Sequence, residues 1–162
     1  MHGVSHMCRL LAFLAFSLLI VPVSLAQTQS GTIEYNEVLN EYEVRDAYGQ
    51  LQGTVKHNEL LGQYEYRNAY GQTEGTTEYD DLLNQYEHRD AYGQRQGTTQ
   101  YNRLLDQYEH LDSYGQRAGT TEYDDLLNQY EYRNPYGQVE QTARYNQVLD
   151  QFDVYDYDDP EY

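Results

Sequence analysis

Residues 75–96 read GTTEYDDLLNQYEHRDAYGQRQ, and the order of residue types in them decides the fold. Thr76 to Tyr79 alternates along the chain, and Gln85 to Arg89 alternates again. An apolar or aromatic residue at every second place, with charge between, is the period of a strand with one covered face. A helix would need a stripe at period 3.6, and none runs through these residues. Two short strands joined by turns are therefore expected. Asp90-Ala91-Tyr92-Gly93 places Asx first and glycine fourth, as a type I turn prefers. Asp80 to Asn84 forms the second connection, in which the aspartate can close an Asx turn and Asn84 tolerates a left-handed backbone.

The same unit recurs from Gly31, Gly53, Gly75, Gly97, Gly119 and Gln141 at a period of 22 residues with no insertion. A constant period means that every copy occupies an equivalent place, because an insertion would spoil the register with both neighbours. Comparing copies gives each position a meaning. The slot of Tyr42 holds tyrosine five times and then Phe152. Two residues on stand Val44, Tyr66, His88, His110, Tyr132 and Val154, and an acid lies between the two columns in every copy. In the fifth copy the first turn becomes Asn134-Pro135-Tyr136-Gly137, where proline already has the φ required. The last slot of the second connection (Asn40, Gly62, Asn84, Asp106, Asn128, Asp150) holds only residues that accept positive φ. The leucine pair before it is expected to point into the core. One copy has too little apolar surface to offset the ordering of its backbone, so copies must stack. The expected fold is all-β: six tandem repeats of two short strands each, stacked as an antiparallel hairpin sheet, with a β-solenoid as the alternative.

Around this array the sequence divides simply. Residues 1–26 read as a signal peptide, with the apolar run Leu10 to Val21, Pro22 as breaker and Ser24-Leu25-Ala26 before the cleavage point. The run is too short for a membrane anchor. Residues 27–30 form a short linker, 31–152 the array, and 153–162 an acidic tail or cap whose charges and Pro160 would blunt edge pairing. Cys8 is the single cysteine and leaves with the signal, so disulfides and thiolate chemistry are excluded. The expected location is outside the cell membrane, extracellular or periplasmic, with no membrane span in the mature chain. Loss of Arg9 leaves 9 Lys and Arg against 27 Asp and Glu, a net charge of -18. Such a surface repels nucleic acid and anionic lipid.

At Tyr79 to Gln94 (YDDLLNQYEHRDAYGQ) the repeat resembles the YD repeats of RHS and teneurin-type proteins. Thr76-Thr77, Tyr79-Asp80, Leu82, Asn84, Asp90 and Gly93-Gln94 carry the likeness, which runs over residues 31 to 152. The family's glycine after the first leucine is leucine here, at Leu39, Leu61, Leu83, Leu105, Leu127 and Leu149. The resemblance implies β-hairpins laid side by side in a curving sheet on secreted or surface proteins.

Catalytic chemistry finds little to use. His57 replaces a strand tyrosine, and His88 and His110 alternate with tyrosine and valine in one inward column, which reads as packing. Being one period apart, His88 and His110 also offer a weak metal pair. Neighbouring carboxylates such as Asp80-Asp81 and Asp124-Asp125 point apart on an extended chain, and glycine-rich phosphate loops are absent. The chain is expected to be no enzyme, with no catalytic, cofactor-binding or metal residues and no required cofactor, calcium on the Asx turns being the one ion to consider. All 20 tyrosines lie after residue 26, a bias too strong for an ordinary globular domain. Tyr48, Tyr70, Tyr92, Tyr114 and Tyr136 sit inside turns, where their rings are candidates for surface binding. The expected function is that of a secreted structural or interaction repeat protein of the cell surface, envelope or extracellular matrix. Its partners would be carbohydrate or another surface or matrix protein, with self-association open. The alternative is a carbohydrate- or calcium-binding module using the Tyr/Asx turns.

Overall fold

The computed structural model describes residues 28–157. The signal segment, Cys8 and the last five residues, Pro160 included, lie outside them. Twelve strands follow one another with no helix between. They are β1 (Thr28–Asn36), β2 (Glu41–Asp46), β3 (Leu51–Asn58) and β4 (Gln63–Asn68). Next come β5 (Thr73–Asp80), β6 (Gln85–Asp90), β7 (Arg95–Asn102) and β8 (Gln107–Asp112). The series ends with β9 (Arg117–Asp124), β10 (Gln129–Arg133), β11 (Val139–Asn146) and β12 (Gln151–Asp156). Each copy supplies two antiparallel strands, as the alternation predicts, and the solenoid alternative is not adopted. The hairpin sheet then goes one step further: β12 pairs with β1, and the twelve strands close into an up-and-down barrel.

Closure follows from a repeated defect. Between copies the ladder slips at one place, next to Val44, Tyr66, His88, His110 and Tyr132. The seam carries the same slip between Gln29 and Gly31, and Gly31 faces Val154 as Gly53 faces Val44. Copy six therefore meets copy one as every other copy meets the next. A bulge adds local twist and bends its strand, so six equal bends bring the sheet back onto itself. Twelve strands about 4.8 Å apart make a ring roughly 20 Å across.

Two boundaries shift as a consequence. Thr28, Gln29 and Ser30 belong to β1 and not to a linker, and Asp153 to Asp156 belong to β12 and not to a tail. The last strand is no exposed edge that charge must protect, because its partner is the first strand, and a closed barrel has no edges.

Both turns are built as the residues require. Asp46 accepts the amide of Gly49 at 2.9 Å through its carbonyl and the amides of Tyr48 and Gln50 at 2.9 Å through its Oδ1. Gly49 stands at φ 77°, which completes a type I turn with a glycine bulge. At the other end Asn58 Oδ1 accepts the amides of Leu60 at 3.1 Å and Leu61 at 3.2 Å, while its Nδ2 donates to Glu65 at 2.7 Å. The slot equivalent to Asn40 has φ between 52° and 67° in every copy. Asn58→Ala removes at once the acceptor of two backbone amides and the donor to Glu65. It should cost about 1–2 kcal/mol in urea unfolding, whereas Asn58→Asp, the residue that copies three and five carry as Asp80 and Asp124, should cost less.

Candidate functional site

The barrel presents three chemically distinct regions: two rims and a belt on its inner wall. The first rim is made of the Asx-Ala-Tyr-Gly turns and their serine and proline variants. Tyr48, Tyr70, Tyr92, Tyr114 and Tyr136 stand on it at 87–89% exposure. All five sequence candidates are thus brought to one end of the molecule, one ring from each of the first five copies. Arg45, Arg89 and Arg133 donate from Nη1 to the carbonyls of Gly49, Gly93 and Gly137 at 3.0, 3.0 and 3.3 Å. These contacts fix guanidinium groups beside the rings.

The second rim overturns an expectation. The leucine pairs do not enter the core. Val38, Leu60, Leu82, Leu104, Leu126 and Val148 are 91–97% exposed, and the leucine after each is 50–64% exposed. They occupy hairpin tips beyond the last rung of the ladder, where no neighbouring strand offers a layer to pack on. Beneath them lies a ring of cross-strand aromatic pairs, Tyr79–Tyr86 with centroids 4.8 Å apart and Tyr123–Tyr130 at 4.9 Å among them. His57 takes the tyrosine place in this ring, 4.8 Å from Tyr64, so it is an aromatic substitute as its column implies. These pairs form inside a single copy, so this part of the aromatic packing needs no neighbouring copy. Their phenols reach the left-handed residue of the turn: Tyr79 donates to Asn84 at 2.6 Å, Tyr123 to Asn128 at 2.5 Å, and Tyr101 and Tyr145 to Asp106 and Asp150. Bonding to those carboxylates holds the last two phenols above the usual tyrosine range.

The inner belt takes one residue from each strand, 11 positions apart: Ile33, Val44, Val55, Tyr66, Thr77, His88, then Thr99, His110, Thr121, Tyr132, Ala143 and Val154. It has two halves. Ile33, Val55, Ala143 and Val154, with Phe152, form the buried apolar cluster, against which Val44 packs. Thr77, His88, Thr99, His110 and Thr121 form a buried hydrogen-bonded chain. Thr77 Oγ1 meets His88 Nδ1 at 2.8 Å, and His88 Nε2 meets Thr99 Oγ1 at 2.8 Å. Thr99 Oγ1 meets His110 Nδ1 at 2.9 Å, and His110 Nε2 meets Thr121 Oγ1 at 2.8 Å. Tyr66 and Tyr132 stand where the halves meet.

Proton counting fixes the tautomers relative to one another. Thr99 has one hydroxyl proton, so between two neutral imidazoles it donates to one and accepts from the other. His88 and His110 must therefore carry their protons on the same ring nitrogen. Burial pulls His88 down to about 4 from the ordinary histidine range. Burial, with His88 as a lesser influence, pulls His110 down to about 3. Both imidazoles are neutral near pH 7, and both ring nitrogens of each are engaged by threonine. A metal pair here would have to break this chain. Among the described residues no three of His, Cys, Asp and Glu gather into a metal-holding group. An outer groove of about 300 Å³ is lined by Glu78, Tyr79, Asp80, Asp81, Glu87 and Arg89. There Asp80 Oδ1 already accepts the amides of Leu82 and Leu83 at 2.9 and 3.1 Å.

With the barrel and its rims described, comparison with known proteins adds one point. No protein-family model matches the chain, and no curated protein matches it. An X-ray structure of a protein from Arabidopsis thaliana aligns with a TM-score of 0.60 at 12% identity, covering 78% of each chain. The likeness is one of fold. It carries nothing about chemistry.

Sequence reasoning found the tyrosine rim because the turn residues are local signals. It missed the aliphatic rim by equating aliphatic with buried. It placed the His88 and His110 column inward but missed the continuous belt, because every second contact in it, such as His88 with Thr99, joins different copies, whose offset depends on the bulges.

Proposed function

We propose that this chain is a non-enzymatic structural and interaction protein of the cell surface, envelope or extracellular matrix, exported by its N-terminal segment and working through its rims. The observation that supports this best is the set of five rim tyrosines, 87–89% exposed, at a pitch of one per copy. Large exposed rings at repeated positions mark contact surfaces more than folding determinants. The outer wall agrees with a molecule surrounded by water: it carries ion pairs such as Arg67–Glu65 at 2.9 Å and Arg133–Glu122 at 2.8 Å, which a lipid-facing wall would not tolerate. The partial resemblance to YD repeats points the same way, toward surface proteins.

A second reading, carbohydrate binding, is favoured by the rings themselves, since a phenol face stacks on the C–H face of a sugar and the neighbouring arginines can donate to its hydroxyls. Calcium has less support, because the Asx oxygens of the turns accept backbone amides.

Replacing all five rim tyrosines by serine tests the proposal. The fold should hold, with stability changed by no more than about 0.5 kcal/mol per substitution and an unchanged far-UV spectrum. Retention on insoluble polysaccharide or on isolated cell-surface material should be lost. A collapsed fold would make the rings structural, and undiminished retention would make them bystanders; either result ends the proposal.

A further inference from the structure

The two rims differ in charge as well as in side-chain type. Of the 9 Lys and Arg beyond Arg9, six (Arg45, Arg67, Arg89, Arg95, Arg117 and Arg133) directly flank the tyrosine turns. On the aliphatic rim the second residue of the turn is Glu37, Glu59, Asp81 and Asp125 in four copies, with Arg103 the one cation in that position and Gln147 neutral. Asp46, Asp90 and Asp112 stand in the tyrosine turns beside these arginines, so that end is aromatic and mixed in charge, while the other end is greasy and acidic.

We propose that the partner of the aliphatic rim is the tyrosine rim of a second copy, so that barrels stack head to tail. This deepens the interaction reading above and rests on it. Three arguments select this occupant. Fully exposed aliphatics on six neighbouring turns, with a half-exposed leucine beside each, exceed the scattered apolar residues of an ordinary monomer surface, so covering them is favourable. Charge then sets the orientation. Two aliphatic rims facing each other would bring acid against acid, and two tyrosine rims facing each other would leave both aliphatic crowns in water. Only aliphatic rim on tyrosine rim covers the leucines and brings Glu37, Glu59, Asp81 and Asp125 toward arginines. Geometry agrees, because both rims belong to one ring and their tips recur at the same pitch around the axis, six on the aliphatic rim and five on the tyrosine rim, where the β12–β1 seam takes the sixth place. Head-to-tail contact is heterologous and does not close, so it propagates into filaments.

The contact is modest. The end of a ring roughly 20 Å across offers on the order of 300–400 Å² per partner, below the ~800 Å² of a stable standard interface. Stacking should therefore depend on concentration, from about 10 μM upward to millimolar.

Sedimentation velocity on the full chain and on the chain from Gln27 reads this directly; every strand pairing described lies within residues 28–157, so the shorter chain keeps the whole barrel. The average mass should rise with concentration and pass beyond the dimer. L60Q/L82Q/L104Q/L126Q and Y70S/Y92S/Y114S each alter only exposed side chains, and an unchanged far-UV spectrum checks their fold. Each alone should associate about tenfold more weakly or worse. Mixed in equal amounts, they should form heterodimers and stop there, because each retains one working rim. A parent chain that stays monomeric throughout would overturn the proposal. So would a parent that stops at the dimer while the tyrosine variant still dimerises alone, which would mean head-to-head contact. Flotation with neutral phosphatidylcholine vesicles, lost in the leucine variant while the parent remains monomeric, would assign the rim to lipid instead. If stacking fails but tyrosine-dependent retention on surface material persists, the interaction reading survives without it.

Discussion

Acidification from pH 7 to pH 4.5 should remove several kcal/mol of the barrel's stability, and His88→Gln with His110→Gln should remove most of that dependence. Both imidazoles have folded values, about 4 and about 3, below the roughly 6.5 of an unfolded chain. Between pH 6.5 and 4 the unfolded chain thus binds protons that the folded barrel refuses, so stability rises with pH across that window and falls as pH drops through it. Each unit of difference corresponds to about 1.4 kcal/mol. Below pH 4.5 the outer wall adds a second loss of the same sign. Glu43 and Glu65 are held below the usual carboxylate range by Asn36 and Asn58 first and by Arg45 and Arg67 second, and protonation forfeits those bonds. Urea midpoints at half-unit pH steps check this. A parent curve flat between pH 7 and pH 4.5, or a double variant as steep as the parent, would show that the belt histidines are not buried neutral. The variant has a cost of its own, since glutamine cannot bridge two threonines as an imidazole does, so the slope carries the test and not the absolute stability.

The elements fixed by neighbours in the chain could be read from sequence, and those fixed by neighbours across the ring could not. Alternation along Gln85 to Arg89 gives a strand wherever it occurs, and Asp90 to Gly93 gives a turn because its four residues satisfy one another's backbone. Closure has no such local signature. It depends on how far each bulge rotates the sheet, and a small change in that angle would leave six copies as an open arc. Once closure is hidden, so is the sorting of the belt. Ile33 and Val55 look isolated among Thr77, Thr99 and Thr121 in the sequence columns, yet the seam places them beside Ala143 and Val154 as one apolar cluster. The atypical first, second and last copies are thus partners of one another and not caps on an open stack. The leucine pairs show the opposite failure. Their local turn was read correctly, but their burial was not, because a hairpin tip has no strand on which to lay a side chain.

Gly53→Ala and Gly75→Ala should each destabilise the barrel by about 2–4 kcal/mol, lowering the melting temperature by roughly 10 °C, although alanine is a small residue in an extended strand. A Cβ on Gly53 would lie 2.4 Å from the carbonyl oxygen of Arg67, and one on Gly75 would lie 2.5 Å from that of Arg89. Both obstacles are backbone, so no rotamer relieves them; β3 or β5 must move away from the strand after it. That strand is where the ladder has just slipped, next to Tyr66 or His88. Pushing the pair apart would relax the bulge that turns one copy against the next. The sixth copy shows what relief looks like, since Gln141 fills the same slot and its side chain donates to Asp156 at 2.9 Å. Gly71→Ala separates this effect from backbone strain. Gly71 stands at φ 77° with no atom within 4 Å of a built Cβ, so its variant should lose only about 1 kcal/mol. If Gly53→Ala and Gly71→Ala cost the same in guanidinium unfolding, the glycine column does not hold the copies at the angle that closes six of them into a ring.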